Sequence, residues 1–325
     1  MYPELFQIPF THLTIKSYGL MMVIGFLMAV YIIRRLSRDI TPDPQLVTNA
    51  SLYALIAGVI GARIFYVIHY FDRFQTDLLS VFAIWRGGLE LLGGVILAIA
   101  VIFIYLLYHK LPVRKYLDIL AIGLMMALAF GRVGCFLNGC CFGKPSNLPW
   151  AIRFPYRSFS YESQVSPDLN RNRPEPYLKI PNDFFGDYQE NGTWLRDLKP
   201  YESLTSQQKE QIRNGQYRAL PVHPAQLYSS LSALLGALLL YLFWRRTRSA
   251  PNSPKRNKLF ARPGCTFALM FILYGIGRFL LEFLRDDNPF GFDNLTVSQN
   301  ISIILVVFAV GLMIIFQKMK PSKNN

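Results

Sequence analysis

Arg63, Arg132 and Arg278 stand in apolar surroundings, within GARIFY at 61–66, FGRVGCFLN at 130–138 and YGIGRFLLEF at 274–283. Arginine stays charged at any depth and grips phosphate through two parallel N–H bonds. At the middle of a membrane helix it costs roughly 2.5–3.5 kcal/mol on the insertion scale, so such residues turn toward a bundle interior or a wet cavity. Three of them toward one face of a membrane suggest an anion site, and the simplest anion there is a phospholipid headgroup. Each also has a plainer reading. Arg132 can snorkel to the interface. Arg278 can form an ion pair with Glu282, one turn along the same helix face. Arg63 can be held by carbonyls of a neighbouring helix and do no chemistry.

The cysteines are Cys135, Cys140, Cys141 and Cys265. Three fall in GRVGCFLNGCCFGK at 131–144, as C-x4-C-C. That is a poor match to the paired spacing of a zinc site, so no metal ligands and no cofactor are assigned. A disulfide on an oxidising face, a redox or metal-handling role, and plain burial of small residues stay open. Glycines cluster at Gly87, Gly88, Gly93 and Gly94, and again at Gly131, Gly134, Gly139 and Gly143. Close helix packing through small residues accounts for most of them. Around Arg132 a broken helix end lining a cavity would fit as well.

The elements that must position these residues follow from an uneven composition. Of the 325 residues, 52% are hydrophobic and 17% charged, mean hydropathy is +0.26 and formal net charge +14. Charge, Pro and Asn concentrate between about 142 and 222, and long apolar stretches fill the rest. Disorder, a coiled coil and a small disulfide-stapled fold are excluded. Apolar stretches of membrane-crossing length lie at Tyr18–Ile33, Ala50–Tyr70, Leu91–Tyr108, Leu117–Phe130, Ala225–Trp244, Thr266–Leu284 and Val297–Phe316. The first and fourth are short and lengthen into their flanks, the fourth as far as Phe136. The opening MYPELFQIPF has an acid and no basic residue before Lys16, so the first span is expected to be retained.

Loop charges set the orientation. One side holds Arg34, Arg35, Arg38, Lys110, Arg114, Lys115, Arg245, Arg246, Arg248, Lys255, Arg256, Lys258, Arg262, Lys318, Lys320 and Lys323, sixteen in all. The other holds four: Lys16, Arg73, Arg86 and Arg285. The expectation is an all-α polytopic membrane protein of about seven transmembrane helices, N-terminus outside and C-terminus cytoplasmic. It would divide into helices one to four with an N-terminal arm (1–141), an extracytoplasmic head (142–222), and helices five to seven with a cytoplasmic tail (223–325). Trp150, Phe154, Tyr161 and Phe184 supply apolar material for the head, whose Pro and Gly argue for loops and short elements. The positive charge needs no nucleic acid, because it is largely the inside signal, which also favours anionic membrane lipids.

The segment GRVGCFLNGCCFGKP resembles the signature of the bacterial prolipoprotein diacylglyceryl transferases, roughly G-R-x-G-N-F-x-N-x-E-x-x-G. Gly131, Arg132, Gly134, Phe136, Asn138, Gly139 and Gly143 match it. Other family-like pieces follow in order. They are Tyr18-Gly19-Leu20, GARIFY at 61–66, Ile84-Trp85 with Gly87-Gly88, Gly93-Gly94, HPAQLY at 223–228, and Tyr274 to Arg278 with Glu282. The resemblance covers the chain except much of the 142–222 insertion.

It implies transfer of the diacylglyceryl group of phosphatidylglycerol to the lipobox cysteine thiol of prolipoproteins. A thioether forms and glycerol phosphate is released, the first step of lipoprotein maturation. It implies a multi-pass enzyme of the bacterial inner membrane, whose partners are phosphatidylglycerol, the prolipoprotein signal peptide and membrane lipids. Arg132 matches the family's lipid-binding arginine and Arg278 its second essential one. Tyr18, Asn138 and Tyr274 match residues at or beside the site. Catalytic roles are expected for Arg132, Arg278, Tyr18 and His223. Substrate contacts are expected from Arg132, Asn138, Gly131, Gly134, Tyr274, Arg63 and Glu282.

Three positions depart from the pattern. The family's His before the second Gly-Gly is Leu92, the signature's Asn is Cys135 and its Glu is Cys140. A thiolate must form during transfer, and Leu92 cannot take its proton. His223, Glu90 and a water near an arginine are the candidates, His223 being equally a loop residue that orients the fifth helix. The cysteines read as lineage drift, and their replacement is expected to leave transfer largely intact. Two other classes compete: a silent relative that binds lipid or signal peptides, and a membrane thiol-redox or metal carrier.

Overall fold

A computed structural model describes residues 4–7, 14–41, 43–75, 77–83, 87–190, 193–248 and 262–319. Ile84-Trp85, Arg86, Lys255, Arg256, Lys258, Lys320 and Lys323 lie outside the described residues. The helices are α1 (Ser17–Ser37), α2 (Gln45–His69), α3 (Leu91–Tyr108), α4 (Val113–Asn138), α5 (Phe159–Val165), α6 (Ser206–Arg213), α7 (Ala225–Arg248), α8 (Cys265–Glu282) and α9 (Val297–Lys318). Among the described residues two short antiparallel strand pairs accompany the helices: β1 (Glu4–Gln7) with β2 (Thr14–Lys16), and β3 (Phe185–Glu190) with β4 (Thr193–Leu198).

Among the described residues six helices, α1, α2, α4, α7, α8 and α9, are long and apolar enough to cross a membrane. The expected count was seven. The 18 residues of α3 reach about 27 Å at the α-helical rise, a little less than the hydrocarbon core. Large side chains stand outward along these helices, such as Leu231, Leu235 and Leu238 on α7 and Ile304, Val307 and Phe308 on α9. Exposed apolar surface of that extent marks a polytopic membrane protein, since it would be a liability in water. The fourth helix does not stop at Phe130 or Phe136 but runs unbroken through Asn138. The chain then turns at Gly139, whose φ of +79° suits glycine.

The described chain divides into two compact units, one of 1–26, 125–239 and 268–312, the other of 27–124, 240–267 and 313–325. In the first, 142–222 builds small cores in which Tyr161, Phe154 and Phe184 are wholly buried. Its short helices are capped locally. Ser158 accepts from the Tyr161 amide at the start of α5, and Thr205 with Gln208 forms a capping box on α6. Single β-bridges join Gly143 to Arg285, and Val222 to both Pro145 and Ile152. A Cβ at Gly143 would fall 2.6 Å from that of His223 and 2.8 Å from the Leu284 carbonyl oxygen, so a side chain cannot fit there.

In the second unit α2 and α3 meet backbone to backbone. A Cβ on Gly93 would collide with the Gly61 carbonyl oxygen, and one on Gly94 would lie 2.7 Å from that of Gly58. Small residues permit this approach, and dispersion across it holds the pair together in lipid. Buried Asp118 of α4 accepts from the Gly264 amide at 2.8 Å and the Phe267 amide at 3.0 Å. It thereby caps the otherwise unpaired amides at the start of α8.

Candidate anion site

Within the first unit, α4, α8 and the loop after α8 gather three guanidinium groups whose charges act on one another: Arg132, Arg278 and Arg285. They differ in how much of their hydrogen-bonding capacity is already used. Arg285 lays a two-point fork on Asp287, at 2.9 and 2.6 Å. Burial opposes its charge, but that fork prevails and holds Arg285 above the usual arginine range. Arg278 donates to the Ser298 hydroxyl at 2.8 Å and pairs with wholly buried Glu282 at 3.1 Å. Glu282 is steadied in turn by the Asn288 amide at 2.7 Å.

Arg132 is different. Its Nε is buried and has no hydrogen-bond partner among the described residues. Its Nη1 meets the Cys141 sulfur at 3.8 Å, a weak acceptor. Arg132 as a whole is half-buried, but a buried Nε–H with no acceptor is costly unless an anion completes it. Arg132 is therefore the group of the three best prepared to receive phosphate.

The other expected residues distribute around it. The Tyr18 ring packs on Gly134, where a Cβ would lie 3.2 Å from its Cδ2, and Met22 lies against Gly131. The two glycines thus let α1 approach α4, a packing role. Tyr18 is near enough to feel the charge of Arg132. Asn138 ends α4, close to Cys140. Tyr274 and Arg278 line a narrow cleft together with Met125, Leu128, Ser229 and Ser232.

His223 lies in the bridge segment just before α7. Its amide donates to Lys144 and its carbonyl accepts from Gly143. Its ring stands 3.5 Å from the Tyr228 hydroxyl, which takes the Trp150 indole N–H at 2.6 Å. That is the geometry of a residue orienting a helix.

Arg63 belongs to the second unit. Four of its N–H bonds go to the carbonyls of Ser80, Val81, Gly87 and Gly88. The pinned reading fits those contacts. Glu90 faces His69 Nδ1 at 3.4 Å, and Leu92 on the first turn of α3 is exposed.

Several participants had no local signal in the sequence. Arg171 of the 142–222 segment donates to the Asn288 and Arg285 carbonyls and pairs with Asp286. Gln226 donates to the Cys140 carbonyl at 2.7 Å. Such partners lie roughly a hundred residues apart, and spacing rules do not reach that far.

Comparison with known proteins adds a family and its members. A family model described as prolipoprotein diacylglyceryl transferase matches residues 3–315. A phosphatidylglycerol–prolipoprotein diacylglyceryl transferase of Chloroflexus aggregans is 29% identical, over 98% of this chain and 88% of its own length. One of Clostridium tetani is 26% identical over 95% and 96%, and one of Buchnera aphidicola 28% identical over 97% and 97%.

Proposed function

The chain belongs to the prolipoprotein diacylglyceryl transferase family, and from that premise we propose how its residues divide the work. The protein moves a diacylglyceryl group from phosphatidylglycerol to a prolipoprotein and does so as a multi-pass membrane enzyme. The acceptor is the lipobox cysteine. Its sulfur bonds to the glyceryl carbon as the carbon–oxygen bond to phosphate breaks, and glycerol phosphate leaves with the electron pair. Negative charge grows on that leaving group, so fixed cations aimed at it lower the barrier.

Arg132 holds the phosphate. Arg278, restrained by Glu282, supplies a second charge, and Tyr18, Asn138 and Tyr274 line the lipid's path. Gly131 and Gly134 let the helices close, His223 orients α7, and Arg63 fixes the loop before α3. Orientation follows the basic residues: N-terminus outside, C-terminus in the cytoplasm, α3 as a seventh span, and 142–222 as an outer head that meets the signal peptide. The membrane is the bacterial inner membrane.

The observation that carries this reading is the unpartnered Nε of Arg132. In vesicles of phosphatidylglycerol with a lipobox peptide, Arg132→Ala should abolish transfer. Arg132→Lys should keep little of it, because a point charge cannot replace the fork. Transfer by the Ala variant at the native rate would overturn the assignment. The residue at Leu92 favours one other reading, a silent relative, which would bind such vesicles and transfer nothing at any pH.

A further inference from the structure

Cys135, Cys140 and Cys141 bring three sulfurs within 4.8 Å of one another, and none is in a disulfide. The turn after α4 makes the cluster. Gly139 and Cys141 both take positive φ, folding the chain back so that the Cys140 amide donates to the Cys135 carbonyl at 3.2 Å. Gln226 pins the Cys140 carbonyl from α7. A metal–sulfur bond of about 2.3 Å sets thiolate sulfurs roughly 4 Å apart, close to the spacing these three already have. The set would supply three protein ligands and leave the fourth tetrahedral position open, the pattern of catalytic rather than structural zinc.

Charge selects the ion. Arg285 is forked on Asp287, and its charge also reaches Cys141. Three thiolates with a divalent ion carry one net negative charge, and Arg132, against Cys141 at 3.8 Å, supplies the balancing positive one. The arginines therefore favour a thiolate-bound zinc where they would repel a bare cation.

We propose that Cys135, Cys140 and Cys141 form a zinc site whose open position takes the substrate cysteine. The proposal rests on the transferase reading and deepens it. A thiol bound to zinc loses its proton outright. This answers the question Leu92 raises: the chain lacks the family's histidine and carries the three thiols in the signature itself. In the step, the substrate thiol gives its proton to solvent as its sulfur binds the ion. That sulfur then forms the bond to the glyceryl carbon while the carbon–oxygen bond breaks and the electron pair leaves with glycerol phosphate at Arg132. The thioether product is a poor ligand and departs.

The test uses full-length protein in detergent, stripped with a chelator and then titrated with Zn²⁺ or Cd²⁺. One ion per chain should bind, with a cadmium–thiolate absorption band. The Cys135→Ser, Cys140→Ser, Cys141→Ser triple variant should lose both, while Cys265→Ser, in the other unit, should keep them. Stripping should lower transfer at neutral pH by more than about tenfold, with recovery on adding Zn²⁺, and the triple variant should be as slow, the reverse of what the sequence alone suggests for replacing these cysteines. The triple variant should regain rate as pH climbs toward the free thiol range. Native neutral-pH rates from stripped protein or from the triple variant, or no cadmium band, would overturn the zinc site and leave the transferase reading standing. Metal-loaded protein that binds cadmium but transfers at no pH would overturn the site's catalytic role and the transferase reading together.

Discussion

At the scale of single residues, what separates the arginines is whether their donors are spent. Arg63 engages four carbonyls of the loop before α3, so Arg63→Leu should strip those oxygens of partners. These oxygens are half-buried or, at Gly87, exposed, so each lost bond should cost about 0.5–1.5 kcal/mol, and a drop in the thermal midpoint of the purified protein would register the sum. Arg132→Ala, losing one weak sulfur contact, should leave that midpoint nearly unchanged while abolishing transfer. Position 92 offers a compensation test. Leu92 is 60% exposed, so Leu92→His breaks no packed core. Added to the triple Cys→Ser variant, it should restore part of the neutral-pH rate by returning a base near the ordinary imidazole pKa of about 6.5. Initial rates across pH would show the gain below neutrality, where thiolate is scarce.

At the scale of elements, the spans were legible because about twenty consecutive apolar residues leave a local signature. The extension of α4 through Asn138 was harder to see. Its Gly-rich, Cys-containing final turns read as a helix end, yet Gly131 and Gly134 serve packing against α1. Long-range polar ties were invisible. Asp118 looks like a stray acid in an apolar helix, and only the fold reveals that it caps α8 across 146 residues of sequence. Asp118→Ala should cost about 2 kcal/mol, at the upper end for a helix cap. Asp118→Asn should cost less, since its amide oxygen still accepts. Denaturant midpoints for the two variants would rank them. The His69–Glu90 pair was hidden in the same way, by 21 residues of separation.

At the scale of the whole molecule, composition alone separated apolar stretches from the polar 142–222 segment, and the buried Tyr161, Phe154 and Phe184 bear out its capacity to form a core. What this segment grips was not legible, because Arg171 meets partners more than a hundred residues onward. The basic loops give a topology that can be measured directly. A reporter active only in the cytoplasm should work when fused after Lys318 and fail when inserted at the exposed turn after α6. The reverse result would invert the orientation.

The glycine contacts between α2 and α3 bear on traffic within the bilayer. Where Gly93 lies against Gly61 and Gly94 against Gly58, a methyl group on Gly61, Gly93 or Gly94 would collide with the facing backbone. A fatty-acid tail is far wider than that. This pair of helices is a sealed partition, and neither the donor lipid nor the doubly acylated product can slip between them. Both must use a doorway elsewhere in the bundle. Bulky side chains placed along this seam should therefore wreck assembly before they ever compete with substrate.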